Sequence, residues 1–185
     1  MALNAPLVRV AITGEVSVAP TGSTAPTSST ASLDAAFIGL GYVGEDGVTV
    51  TPNDSTDAVR AWQNAARVRT VRTEQDWTFK FKLIETKGKT VGLYFRSTVA
   101  VVSAGQWSLV PDSVNPDPRA FVIDVIDGSK HYRYYIPNGE VTERSELTND
   151  SGDAIGYEVT VAAYYDSTIS GQFKLFSDDA AWGYS

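Results

Sequence analysis

A regular alternation of apolar and polar side chains over residues 76–85 most constrains the fold of this chain. Trp77, Phe79, Phe81 and Leu83 alternate with polar residues there. Successive side chains of a strand point to opposite faces, so the pattern predicts a half-buried β-strand. The surrounding block, residues 57–95, predicts three strands and then one short helix. It contains neither a phosphate-binding loop nor a metal-ligand set.

Further strands are predicted on both sides of this one, and most of them are short. In the first half they cover residues 7–18, 35–43, 48–51, 58–63, 67–73, 76–85 and 98–110. An Asp-Gly pair favours a tight turn, so residues 44–47 predict a hairpin, and residues 52–56 predict a loop. Residues 86–96 are the predicted helix. Gly88 and Gly92 oppose it, because each weakens a helix by about 1 kcal/mol relative to Ala.

The second half predicts strands only. They cover residues 121–126, 130–136, 141–147, 155–166 and 173–176, with turns at residues 127–128, 137–139 and 149–153. Many short strands separated by turns predict a mainly β protein, an antiparallel β-sandwich or barrel with one short flanking α-helix. We expect one domain over residues 1–185, with an N-terminal arm at 1–6, a flexible polar loop at 19–33 and a C-terminal tail at 177–185.

Composition limits the classes of function. The 185 residues include 22 acidic and 15 basic residues, a formal net charge of −7, which disfavours a DNA-gripping groove. The chain has no cysteine, which excludes disulfides, thiolate catalysis and cysteine-based zinc sites. No charged leader precedes an apolar run and no apolar run approaches 20 residues, so we expect neither secretion nor membrane insertion.

Candidate catalytic and ligand-binding groups have simpler explanations. The only histidine, His131, lies in a predicted strand, where a cross-strand role explains it better than a Ser-His-Asp triad. The carboxylate pairs Asp124/Asp127 and Asp178/Asp179 are better explained by a turn and a polar tail than by glycoside hydrolysis. Residues 149–153 lack the spacing of a calcium loop. We therefore expect no enzyme, no cofactor and no metal.

The four tryptophans leave several interpretations open. They could form a stacking platform for sugars or bases. Trp77 belongs to the apolar face of its strand and is expected in the core. Trp62 and Trp107 are expected in the core or at a subunit interface. Trp182, near the C-terminus, is a candidate for docking on a neighbouring subunit.

Several short segments together resemble one protein family. They are Ala-Trp-Gln-Asn at 61–64, Val-Arg-Thr-Val at 68–71, Phe-Lys-Leu-Ile-Glu-Thr at 81–86, Ile-Pro-Asn-Gly-Glu-Val at 136–141 and Tyr-Glu-Val-Thr at 157–160. Their order and spacing resemble the major tail tube proteins of long-tailed, siphovirus-type bacteriophages, in particular those of actinobacteriophages.

The resemblance implies a β-sandwich with one flanking helix, shared with type VI secretion tube proteins. It implies hexameric rings whose inner strands join into a continuous barrel and which stack head-to-tail into a tube. The implied partners are other copies of the chain, the tape measure protein, and the tail terminator and distal tail or baseplate proteins. Double-stranded DNA would pass through without sticking during genome delivery, which agrees with an acidic chain. The implied location is the virion tail, assembled in the host cytoplasm.

The resemblance and the strand alternation suggest candidate site residues. Candidates for the tube lumen are Asp124, Glu140, Glu146 and Glu158; the alternative is the outer surface. Candidate inter-subunit segments are the N-terminal arm, the loop at 21–32, residues 45–56 and the C-terminal tail. Individual inter-subunit candidates are Glu45, Asp46, Arg60, Arg67, Arg69, Arg72 and Trp182. For the arginines, the alternative is a solvated strand face.

Two other functions stay open at this point. A β-sandwich module that binds a receptor or a carbohydrate would also explain the strands and the aromatic residues. A tail terminator or head–tail connector would form one ring but no filament. An enzyme is disfavoured by the single histidine and the missing motifs.

Overall fold

A computed structural model describes residues 4–111 and 115–183, and its main feature is one curved antiparallel sheet with a short helix packed against it. The strands are β1 (Thr13–Pro20), β2 (Ile38–Gly39), β3 (Val43–Arg60), β4 (Arg67–Leu83), β5 (Ala100–Ser103), β6 (Gln106–Ser108), β7 (Arg119–Asp127), β8 (Lys130–Arg144), β9 (Tyr157–Ala163) and β10 (Lys174–Ser177). The helix α1 is Gly88–Phe95, and two 3-10 turns are Ala5–Leu7 and Ala180–Trp182. The predicted mainly β, antiparallel class with one short helix is confirmed.

The sheet curls until its two ends approach each other. Its strand order is β2-β1-β7-β8-β9-β4-β3, and β10 adds to β8, whereas β5 and β6 form a separate hairpin. Near the ends of the order, β1 contacts β3. Over the described ranges no backbone ladder joins these two strands. The result is a barrel-like wall with an opening between β1 and β3.

The alternating strands supply the core inside this wall. Phe79, Phe81 and Leu83 of β4 are buried, as the alternation predicts. The predicted alternation of β9 is confirmed as well, because Tyr157, Val159, Val161 and Ala163 are all buried. Edge-to-face contacts join Trp77 and Phe79 to the ring of Phe173. Apolar burial at these positions is the main stabilising contribution to the fold.

The helix closes one side of the core. Leu93 and Tyr94 are buried, and the Tyr94 hydroxyl donates to the carbonyl of Ser145 at 2.5 Å. The Thr90 hydroxyl donates to the Leu40 carbonyl at 2.9 Å. The helix ends at Arg96, whose left-handed backbone (φ 53°) lets the Ser97 N–H donate to the Gly92 carbonyl. It begins two residues later than predicted, with Lys87 as its N-cap residue.

Three predicted interruptions lie inside continuous strands. Residues 44–47 are an irregularity in β3, between the pairs Val43–Leu83 and Val48–Phe81, and not a hairpin turn. Residues 52–56 also belong to β3, where Pro52 is tolerated because β3 is an edge strand. Residues 137–139 lie inside β8, because Gly139 pairs with Arg119 of β7 and with Ala163 of β9. A Cβ there would lie 3.0 Å from side-chain carbons of Phe121 and Val161.

Some predicted boundaries also differ. The first strand begins at Thr13 and not at residue 7, and it continues to Pro20, so the polar loop begins at Thr21. The strand predicted at 98–110 is the β5–β6 hairpin. The C-terminal tail starts inside β10 and includes the second 3-10 turn. Residues 1–3 of the predicted arm and residues 184–185 of the tail lie outside the described residues. The mobility of the polar loop stays a prediction.

Candidate assembly surfaces

The hairpin of β3 and β4 extends far beyond the rest of the sheet. The neighbouring strand β9 pairs with β4 only from Trp77 onward. Residues 51–76, called the arm here, therefore form a two-stranded ribbon. Ten residues in each strand, at about 3.3 Å per residue, give a length of about 30 Å. Every residue of the arm is exposed except the half-buried Ala61.

The arm ends in a strained turn that carries an exposed tryptophan. Asn64 and Ala65 both have positive φ, 58° and 52°, and such a backbone is uncommon for residues other than glycine. The Ala61 N–H donates to the Ala66 carbonyl and closes the turn. Trp62 is 98% exposed. The expectation that Trp62 lies in the core is wrong, and its place at a subunit interface stays a prediction.

Charge is strongly segregated between the tip of the arm and the rest of the chain. Residues 58–72 contain the arginines Arg60, Arg67, Arg69 and Arg72 and no acidic residue. The remainder of the chain therefore has 11 basic and 22 acidic residues, a formal net charge of −11. Arg72 lies 3.5 Å from Asp54 in an exposed pair. In the part of the chain that the structure describes, the other three arginines pair with no carboxylate. The structure thus places the four predicted arginines together on the arm.

The face of β4 and β9 that points away from the core of the subunit is polar and partly exposed. Lys80 Nζ lies 2.9 Å from Glu158 Oε1, and Glu158 also accepts from the Ser145 hydroxyl. These hydrogen bonds lower the pKa of Glu158, the one from Ser145 most, and the bond to Glu158 raises the pKa of Lys80. Glu158 therefore stays charged on this face at neutral pH.

Asp124, another lumen candidate, is held by an arginine of the same subunit. Arg133 contacts Asp124 through Nε at 2.6 Å and Nη2 at 2.9 Å, and its Nη1 donates to the carbonyls of Ser28 and Ala31. Arg133 thereby ties the polar loop to β7. Sequence reasoning missed Arg133, although the turn at Asp127-Gly128 contained the signal. A two-residue loop after Asp127 places Asp124 opposite Arg133.

Glu140 and Glu146 have different surroundings. Glu140 Oε1 accepts from Arg96 Nη2 at 2.7 Å and from the backbone N–H of Asp117 at 3.1 Å. Glu146 is exposed, and within residues 4–111 and 115–183 it forms no ion pair. The lumen position of all four acids stays a prediction, and Glu146 is the member whose charge no basic side chain neutralises.

The N-terminal and C-terminal segments meet at a buried carboxylate. Asp179 accepts from Arg9 Nε at 2.6 Å, from the Tyr132 hydroxyl at 2.7 Å and from the Ala181 N–H at 3.0 Å. These three bonds, with Arg9 the largest contributor, hold the pKa of Asp179 well below its usual range. Trp182 lies beside this site, its ring 5.7 Å from that of Tyr132. It is about half exposed, so part of the ring is accessible to a neighbour.

The opening between β1 and β3 forms a groove of about 430 Å³. Its floor is apolar and includes Val48, Val50, Val125 and Tyr134, which pack against the core. The charged residues that line it are acidic: Glu45, which is exposed, and Asp124. Asp46 follows Glu45 directly. The structure therefore places Glu45 at the edge of an apolar groove and neither acid on a hairpin turn, and the inter-subunit role of both acids stays a prediction.

Candidate catalytic groups are engaged in structural contacts. His131 Nδ1 lies 2.9 Å from Asp178 Oδ2, and the His131 N–H donates to the same carboxylate. These bonds, the backbone one first, lower the pKa of Asp178. Over the described part of the chain, no group of three metal-ligating side chains is found. No helix within that part has the length and apolar character needed to cross a bilayer.

Trp107, expected in the core or at an interface, is 64% exposed, so the core alternative is wrong.

Comparison with known proteins identifies the family. A family model described as "Phage tail tube protein" matches residues 1–184. The chain belongs to the phage tail tube protein family. The resemblance seen in the sequence is thereby confirmed, and a tail tube protein is a structural component of the phage tail and not an enzyme. No curated protein matches the sequence.

Two solved structures match this chain at low sequence identity. One is the sheath–tube complex of an extracellular contractile injection system (PVC) in its extended state. The match has 12% identity, covers 92% of this chain and 93% of that chain, and has a TM-score of 0.45. The other is an Hcp protein, with 9% identity, coverage of 88% and 96%, and a TM-score of 0.33. The family assignment of this tail tube protein rests on the sequence match.

Proposed function

We propose that this tail tube protein self-assembles into hexameric rings that stack head-to-tail as the tube of a phage tail. The observation that carries the proposal is the arm, residues 51–76. It is exposed and reaches about 30 Å from the body, and at its base the Gln75 carbonyl accepts from the Gln172 side chain of the same subunit. A ribbon of this length with no cover in its own subunit is suited to contact a second subunit.

The open strand edges support ring formation. Both β1 and β3 border the opening in the sheet, and among the described strands β3 pairs with β4 alone. Exposed edges present unpaired N–H and C=O groups that favour pairing with another chain. A closed ring of identical subunits covers such edges, whereas stacking of rings is a heterologous contact that propagates into a filament.

The charge distribution supports both the contacts and the conduit. The arginines Arg60, Arg67, Arg69 and Arg72 of one subunit contact an acidic surface of another, with Glu45 and Asp46 among the candidates. Trp182 and the terminal segments add a further contact. The proposed lumen acids repel the phosphates of passing double-stranded DNA; Glu146 is exposed, and Asp124, Glu140 and Glu158 are paired with basic side chains of their own subunit.

The family suggests the remaining partners. The tube encloses the tape measure protein before genome delivery. It ends at a tail terminator on one side and at distal tail or baseplate proteins on the other. Assembly takes place in the host cytoplasm. The family match favours this tube over a receptor- or carbohydrate-binding module and over a single-ring terminator or connector.

Negative-stain electron microscopy of the concentrated protein tests the proposal. We expect stacked rings or hollow tubes with sixfold end views. A variant in which Asn-Gly replaces residues 55–74 removes most of the arm but retains the Asp54–Gln75 pair at its base. Because the arm is exposed, this variant is expected to fold like the wild type by circular dichroism and urea unfolding, yet to form no tubes.

Three results contradict the proposal. Wild-type protein that gives only small compact particles at every concentration would exclude a self-assembling tube. A folded variant without the arm that forms normal tubes would show that the arm is not the contact. Single rings that never stack would support a terminator or connector instead.

A further inference from the structure

Apolar side chains at the tip of the arm are exposed in the single subunit. Trp62 is 98% exposed, and Val59 and Val68 nearby are also exposed. Isolated exposed apolar residues are ordinary. A tryptophan at the end of a ribbon of about 30 Å, among arginines and no acids, has the composition of an interface anchor.

The groove between β1 and β3 has the complementary composition. Its volume of about 430 Å³ lies in the range of about 300–1,000 Å³ that admits small ligands, so an indole ring fits. Ile12 and Tyr42 are largely exposed at its mouth. Its only lining charges among the described residues are the carboxylates Glu45 and Asp124.

We infer that Trp62 of one copy inserts into the β1–β3 groove of a second copy, and that the arginines beside it face Glu45 at the rim. This inference rests on the proposed function and names the contact by which the arm holds the next subunit. Like-charged rims would repel, whereas an arginine-rich tip on an acidic rim is attracted and correctly oriented.

A second acidic surface is a poorer acceptor. The pocket near the end of β8 is lined by Glu146, Asp150, Asp153 and Glu158, but Lys82 also lines it. Its apolar lining residues are Ala154 and Gly156, which offer little surface to an indole. It could attract the arginines but not bury Trp62. This pocket therefore provides the competing site for the test.

Disulfide trapping tests the contact without background, because the chain has no cysteine. Gln63→Cys places a thiol next to Trp62, and Thr13→Cys places one at the rim of the groove and retains Glu45. The two variants, with tags of different mass, are mixed, assembled and oxidised. We expect mixed disulfide dimers from this pair. Gln63→Cys mixed with Asn149→Cys, which lies between the pocket-lining residues Thr148 and Asp150, is expected to give none.

Substitution of the tryptophan gives an independent measurement. Trp62→Ala is expected to raise the protein concentration needed for tube formation roughly tenfold or more, as for a buried interface anchor. Tyr165→Ala, at an exposed aromatic residue outside the candidate contact segments, is the matched control and is expected to leave it unchanged. Circular dichroism should be identical for both variants.

The outcomes separate this inference from the proposed function. Suppose that the wild type forms tubes but Gln63→Cys links to Asn149→Cys, or to neither partner. This result would overturn the docking and leave the tube proposal intact. Normal assembly of Trp62→Ala would do the same. Wild-type protein that never assembles would overturn both.

Discussion

At the scale of single residues, arginine–carboxylate pairs connect segments that are distant in the sequence. Arg133 binds Asp124 through two nitrogens and also holds the Ser28 and Ala31 carbonyls. Its side chain is 9% exposed. Removal of the arginine leaves a largely buried carboxylate and two carbonyls without their donor, and each such loss is destabilising.

The first prediction concerns this pair. Arg133→Met should lower the free energy of unfolding by about 3 kcal/mol, because it breaks a largely buried ion pair. Arg72→Met is the control: the Arg72–Asp54 pair is exposed and 3.5 Å long, so its loss should cost about 1 kcal/mol or less. Urea unfolding measures both. Equal losses would show that Arg133 does not anchor the polar loop.

The second prediction concerns pH. The pKa of Asp179 is lowered in the folded protein, chiefly by the hydrogen bond from Arg9. A lowered folded-state pKa contributes stability that is present above the unfolded-state value, about 3.9, and is lost as the pH falls toward the folded-state value. The difference in free energy of unfolding between wild type and Asp179→Asn should therefore be constant above about pH 5 and shrink below about pH 4.

Urea unfolding at a series of pH values measures this difference. Asp57→Asn, on the exposed arm, is the control, and its curve should run parallel to that of the wild type. A wild-type-minus-Asp179→Asn difference that does not change on acidification would contradict the link between the terminal segments and this carboxylate.

At the scale of elements, the helix shows that propensity and packing can oppose each other. Gly88 and Gly92 both lie in α1, and alanine is the better helix former by about 1 kcal/mol. A Cβ on Gly88 would meet only Val99, at 3.8 Å. A Cβ on Gly92 would lie 2.7 Å from the backbone oxygen of Ser97, which cannot move without disturbing the helix end.

The third prediction follows from this contrast. Gly88→Ala should leave the free energy of unfolding unchanged or raise it by up to about 1 kcal/mol. Gly92→Ala should lower it by about 1–3 kcal/mol, because the gain in propensity is smaller than the cost of overpacking. Thermal and urea unfolding of the two variants give the comparison. A stabilised Gly92→Ala would mean that the turn after α1 can shift away from the new methyl group.

At the scale of the whole molecule, a basic tip projects from an acidic body. The tip carries four arginines, and the remainder has a formal net charge of −11. In a free subunit this segregation contributes little to the fold, because the arm is exposed. Between subunits it gives an attraction that orients the arm toward an acidic surface.

The fourth prediction is a salt dependence of assembly. The Debye length falls from about 10 Å at 0.1 M salt to about 3 Å at 1 M. The protein concentration needed for tube formation should therefore rise as salt increases over this range, as measured by light scattering and electron microscopy. The double variant Arg67→Glu/Arg69→Glu should assemble poorly at low salt and lose this dependence. Wild-type assembly that is unaffected by salt would show that charge does not orient the contact.

The sequence by itself determined the class of the fold and the inward faces of the strands. The alternation at residues 76–85 and the one beginning at residue 155 were enough, because side-chain direction in a strand depends only on its period of two. The hairpin at Asp127-Gly128 was also predictable, because its turn chemistry is local. The family was recognisable from the order of short segments.

Only the tertiary structure decided the features that depend on partners across the sheet. Residues 44–47 and 137–139 have turn composition, yet both lie within strands. Pairing with β4 continues on both sides of residues 44–47. Gly139 pairs with β7 and β9 and packs closely against the core. The arm was hidden because a ribbon exposed on both faces has no apolar alternation to reveal its length. The groove exists only because β1 and β3, distant in strand order, are brought together by the curvature of the sheet. Local pattern specifies which way a side chain points, and long-range pairing decides what it meets.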